Sequence, residues 1–240
     1  MRARSLTLAI LALALGVVPA LRAQAMPGMD MSQADASMSG KMMPTAHMTM
    51  TPLAKPQPGD SARAAAIVDT VRVAIAKYRD YHAALDDGFT IFMPKVPQKV
   101  YHFTSKSNGF LAAFRFDPSK PTSLLYKKNP DGGFTLVGAM FTARKRSTPE
   151  ELNARVPLSV AEWHMHTNLC IPPKAEREAM RDGADTTHRF GFFGSITTEA
   201  ACTAAGGTFM PTVFGWMVHV NPFESDPRLV WGTHEEHGEM

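Results

Sequence analysis

Two short segments restrict the fold more than any other part of the chain. Trp163-His164-Met165-His166-Thr167-Asn168 and Trp216-Met217-Val218-His219-Val220-Asn221 share the frame Trp-x-x-His-x-Asn. Each reads as a strand, in which successive side chains face opposite sides. In the first, Glu162, His164, His166 and Asn168 face one way, while Trp163, Met165 and Leu169 enter the core. In the second, Met217, His219 and Asn221 share one face, and Trp216, Val218 and Val220 the other. A sheet built from such strands has one apolar face to be covered and one face that carries imidazoles.

The remaining patterns supply what covers it. Ala64, Ile67, Val68, Val71, Ile75 and Tyr78 recur at helical spacing behind Asp60 or Ser61, which predicts one amphipathic helix over 62–86, stopped by Gly88. Val100–Thr104, Thr122–Tyr126, Phe134–Thr142, Val160–Leu169 and Thr208–Val220 read as strands. Asn129-Pro130-Asp131-Gly132-Gly133 joins the second and third of them as a hairpin. Thr148-Pro149-Glu150-Glu151 opens a short helix, and Lys174–Arg181 and Thr198–Ala205 give two more. Hairpins with few crossovers predict an α+β fold: a long N-terminal helix packed on a mainly antiparallel sheet, with short helical insertions.

The ends of the chain have other chemistry. Arg2 and Arg4, the apolar run Leu6–Val18 and the Ala23-Gln24-Ala25 site have the order of a secretory signal peptide over 1–25. That run is shorter than the roughly 20 residues a bilayer span needs, so no stable membrane insertion is expected. Removing Arg2, Arg4 and Arg22 from the 25 basic residues leaves 22 against 22 acidic ones. Zero net charge argues against nucleic acid as a partner. Residues 26–59 are rich in Met, Pro, Ser, Thr and Gly and poor in aromatic residues, which predicts a flexible tail. A single domain over 60–231 and a flexible His/Glu end over 232–240 complete the division. Export makes the two cysteines, Cys170 and Cys202, a disulfide pair. The alternative is that Cys170, close in sequence to two histidines, is a thiolate metal ligand.

Several of these stretches together resemble a group of secreted bacterial proteins of unassigned function. They are Lys77-Tyr78-Arg79-Asp80, Ala84-Leu85-Asp86-Asp87-Gly88-Phe89, Tyr101-His102-Phe103, Asp117–Pro121, Leu124-Leu125-Tyr126 and Leu136-Val137-Gly138-Ala139. In that group a helix ending Ala-x-x-x-Gly-Tyr precedes a His-aromatic strand, a Pro-x-x-Leu-x-Tyr/Leu-Val-Gly hairpin and a later Trp/His strand. The resemblance covers roughly residues 65–170. It departs at Phe89, where the group has Tyr, and in the Cys170–Cys202 insertion. It implies an extracytoplasmic location and one shared domain, with no activity attached.

The chemistry lies with the histidines. Two neutral imidazoles about 7 Å apart along a strand can grip one transition-metal ion. Copper, zinc, iron and manganese all accept such donors. If the two Trp-x-x-His-x-Asn strands are neighbours, His219 joins His164 and His166, and His102 is a fourth candidate ligand. Glu162, Asn168 and Asn221 are candidates to orient the ligands from behind.

The tail carries Met26, Met29, Met31, Met38, Met42, Met43, Met48 and Met50, eight methionines within 25 residues, with His47 among them. Thioethers are soft donors that select Cu(I). Met26–Met31 and Met38–Met43 resemble the Met-rich stretches of periplasmic copper-handling proteins. His234-Glu235-Glu236-His237 is not a metalloprotease motif, because its histidines are spaced i,i+3 instead of i,i+4. The expectation is a periplasmic or secreted metal-binding protein, copper favoured. The alternatives are a His-ligated hydrolytic or oxidative metalloenzyme with Glu162 as acid/base, and a metal-free envelope binding module.

Overall fold

The computed structural model describes residues 45–96, 98–181, 189–192 and 194–232. The expected signal peptide, the tail as far as residue 44 and residues 233–240 lie outside that range. The described chain is α+β and dominated by one antiparallel sheet of seven strands in the order β1-β6-β7-β5-β4-β3-β2. These are β1 (Met48–Met50), β2 (Thr90–Ile91), β3 (Tyr101–Thr104), β4 (Ser123–Lys128), β5 (Phe134–Ala143), β6 (His164–Ile171) and β7 (Thr208–Val220). Strands β4 and β5 form the expected hairpin, whose turn places Gly132 at φ +88° and is closed by Asn129 N–H donating to Gly133 O at 2.8 Å.

Helix α1 (Asp60–Ile75) buries Ala64, Ile67, Val68, Val71 and Ile75. It packs on the sheet face that presents Phe103, Leu124, Tyr126, Ala139, Phe141, Trp163, Val218 and Val220. Each of its larger buried side chains contributes about 1.5–3 kcal/mol relative to exposure. Trp163, Val218 and Val220 are fully buried here, on the face that alternation assigned to them.

The single helix expected over 62–86 does not form. After Ile75 the chain passes through a 3-10 turn (Ala76–Arg79) and restarts as α2 (Tyr81–Asp86). The cause is Asp80, which is extended and accepts a hydrogen bond from His82 N–H, so a capping residue ends one helix and opens another. The helix after Thr148 is α4 (Pro149–Arg155), and Thr148 and Glu151 complete a capping box there. It follows α3 (Lys106–Ala112), a helix that no pattern above predicts and that the Ser105 side chain caps by accepting from Asn108 N–H. Helix α5 (Lys174–Arg181) has the expected bounds, and α6 (Glu199–Ala204) lies within Thr198–Ala205.

The flexible tail expected over 26–59 also needs correction. Its last part is ordered: β1 adds to the free edge of β6 in the register Met48↔His166, Thr49↔Met165, Met50↔His164. Thr51 N–H donates to Trp163 O at 2.8 Å, and Thr167 N–H donates to His47 O at 2.9 Å. A composition typical of linkers still pairs when a strand edge offers a full row of backbone partners. Among the described residues no helix is long and apolar enough to cross a membrane.

Candidate metal centre

The second sheet face carries the imidazoles. Directly opposed residues of an antiparallel pair share a face. His164 opposes Met217, His219 opposes Met140, and His102 opposes Leu125. Val100, Leu125, Met140 and Met217 form a buried apolar cluster on this side, separate from the core under α1. The four rings follow one another. Their centres are 5.6 Å apart for His102 and His219, 5.0 Å for His219 and His164, and 5.7 Å for His164 and His166.

His102 reaches this group from a distance. In a flat sheet β3 and β7, three strand spacings apart, would be about 14 Å from each other. A ring separation of 5.6 Å is far shorter, so the two rings meet above the intervening β4 and β5. Gly138 on β5 allows the close approach of the end of β7, since a Cβ there would meet Val220 O at 2.5 Å.

A bulge aims His166. Between His164↔Met217 and His166↔Val213 the register advances two residues on β6 and four on β7. The extra β7 residues include Phe214, at φ +62°, and Gly215, whose Cβ would overlap the Ala143 carbonyl oxygen. The bulge turns Phe214 outward, where it meets Phe92 at 5.7 Å and Phe192 at 6.4 Å. Phe192 in turn lies edge-on to His166 at 4.8 Å. A rim of three phenylalanines therefore borders one end of the imidazole row.

His164 and His219 are buried, while His102 and His166 are half-buried. Burial first, and repulsion from His166 second, hold the pKa of His102 down to about 4. At neutral pH it is the uncharged imidazole, the form that ligates metal.

The other sequence candidates have different places. Asn168, at φ +55°, donates from its side chain to Ala46 O at 2.8 Å. His47 is buried with Nδ1 3.0 Å from Asn168 O and Nε2 2.5 Å from Gly194 O. Asn221 donates to Leu229 O and Gly232 O, both at 2.8 Å, and ties the terminal helix α7 (Pro227–Val230) to the end of β7. Backbone carbonyls occupy these three side chains, so Asn168 and Asn221 do not orient the ring nitrogens by those bonds, and His47 is a fastening of β1. Glu162 precedes β6 and is half-buried. Cys170 is bonded to Cys202, with Cα atoms 5.6 Å apart, which removes it as a thiolate ligand. Met26, Met29, Met31, Met38, Met42 and Met43 lie outside the described residues.

Sequence reasoning did not find the phenylalanine rim or the part played by β1. The alternation His47-Met48-Thr49-Met50-Thr51, with its β-prone threonines, was the available signal for β1. Among the described residues no three His, Cys, Asp or Glu side chains already stand in an arrangement ready to hold a metal ion. No family model, curated protein or solved structure matches the chain.

Proposed function

We propose that this chain is a periplasmic or secreted metal-binding protein, copper favoured, with His164, His166 and His219 as its central ligands and His102 as a fourth. The carrying observation is the row of four imidazoles on one sheet face, with neighbouring ring centres 5.0–5.7 Å apart. With metal–nitrogen bonds of 2.0–2.1 Å, two rings on one tetrahedral ion have centres about 5 Å apart. Bringing the nitrogens onto one point requires ring rotations. An off-rotamer torsion costs about 0.5–1.5 kcal/mol. A structural zinc site binds its ion by roughly 10–16 kcal/mol, so binding outweighs the rearrangement. The Cys170–Cys202 disulfide supports an oxidising compartment, as does the resemblance to secreted bacterial proteins.

The phenylalanine rim favours a second reading, in which the metal keeps an open position beside Phe92, Phe192 and Phe214 and works on a small apolar substrate. Glu162 would then supply the acid/base.

Metal analysis of purified protein after loading with Cu(I), Cu(II) or Zn(II) and desalting tests the first reading. One equivalent should remain per chain beyond what the tail holds. His166→Ala and His164→Ala should each lose it while the far-ultraviolet circular dichroism stays that of the parent. Equal metal retention by parent and variants would make the histidines structural.

A further inference from the structure

The imidazole face is also a thioether face. Strand register puts Met50 and Met217 on the two sides of His164, one on β1 and one on β7. It puts Met48 beside His166 and Met140 beside His219. Opposed side chains on one face have Cβ atoms about 4.5–5.5 Å apart, within reach of a methionine sulfur. Met48, Met140 and Met217 are buried and Met50 is half-buried. Four methionines thus border three of the four histidines.

We infer that the centre is a mixed imidazole–thioether site for Cu(I), in which Met217 and Met50 ligate beside His164 and β1 is the strap that brings Met50 to it. This rests on the metal-binding reading above and names its ion and two further ligands. Every donor that register fixes on this face is neutral. Both cysteines are committed to the disulfide. Imidazoles alone serve Zn(II) and Cu(II) as well as Cu(I), so the preference for Cu(I) comes from the soft thioether sulfurs beside them. The placement of β1 follows the same logic. It is the end of the Met-rich stretch, so copper gathered by Met26–Met43 would be delivered along the chain to a site that the same segment completes.

The test uses the full mature chain in two backgrounds, native and with Met26, Met29, Met31, Met38, Met42 and Met43 changed to Ser. Met217→Leu and Met50→Leu nearly conserve volume, which packed interiors tolerate. Cu(I) affinity is read anaerobically by competition with a chromophoric chelator, and Zn(II) affinity by competition with a zinc dye. Each Leu variant should lower Cu(I) affinity tenfold or more and leave Zn(II) affinity within twofold. X-ray absorption of the Cu(I)-loaded six-Ser chain should show sulfur scatterers that diminish in the Met217→Leu/Met50→Leu double variant. If Met217→Leu fails to fold by circular dichroism, Met50→Leu on the edge strand carries the test. Unchanged Cu(I) affinity in the Leu variants, with binding abolished by His164→Ala, overturns the thioether ligands and leaves the histidine site standing. A parent chain that binds neither ion overturns both.

Discussion

Removing the disulfide should destabilise the domain by about 4 kcal/mol, and the structure shows where the loss falls. Cys170 is the penultimate residue of β6, and Cys202 sits in α6 at a sequence separation of 32. In the chain-entropy model a closed loop of this length restricts the unfolded chain by about 3.7 kcal/mol at 25 °C. Both cysteines are fully buried and pack with Phe190, Ile196 and Phe209. Gly207 wraps closely round the bridge, since a Cβ there would meet Cys170 Sγ at 2.6 Å and Cys202 Sγ at 3.0 Å. Loss of the packed sulfurs adds up to roughly 1 kcal/mol. Urea unfolding of the parent and of Cys170→Ala/Cys202→Ala in non-reducing buffer, extrapolated to water, measures the difference. A loss below about 1 kcal/mol would refute the reasoning, because the bridge would then not restrict the denatured chain. The bridge also holds the segment that bears Phe192. Gly191 N–H donates to Cys170 O at 3.1 Å, and His47 Nε2 lies 2.5 Å from Gly194 O. Amide exchange over 189–196 should therefore accelerate in the double variant more than exchange in β4 and β5.

Three smaller outcomes follow from the same contacts. Tyr126→Phe removes a buried hydroxyl that donates to Tyr78 O at 2.7 Å, and should lower the unfolding free energy by about 1–1.5 kcal/mol in a urea titration. Gly215→Ala should destabilise by about 2 kcal/mol or more in the same assay, because its Cβ overlaps the Ala143 carbonyl oxygen and strands β5 and β7 must separate to relieve it. The carboxyl of Asp60 is held below the usual carboxylate range, first by the Ser159 hydroxyl, then by Gln57 N–H and Arg63. A depressed folded pKa stabilises above the unfolded value and is lost as pH falls through the folded one. The stability gap between the parent and Asp60→Asn, measured by urea unfolding from pH 6 to pH 3, should therefore narrow toward acid; a constant gap would remove Asp60 as an acid-sensitive clamp.

What the sequence determined by itself was local. Alternation assigned Trp163, Val218 and Val220 to the core and the histidines of β6 and β7 to the other side, because side-chain parity along a strand needs no knowledge of its neighbours. The Asn129–Gly133 turn, the helix start at Thr148-Pro149 and the cysteine pair were legible for the same reason: each is a short stretch of chain with its own chemistry, or the only two thiols in the sequence. The tertiary structure alone decided which strands became neighbours. Pairing β6 with β7 and β1 placed Met217 and Met50 on either side of His164, and this depended on long-range register and on the Phe214–Gly215 bulge. Composition read residues 45–59 as tail because it weighs a segment alone, whereas an open edge on β6 gave Met48–Met50 backbone partners. His102 joined His219 across two intervening strands, a proximity set by the whole sheet, which no local pattern encodes.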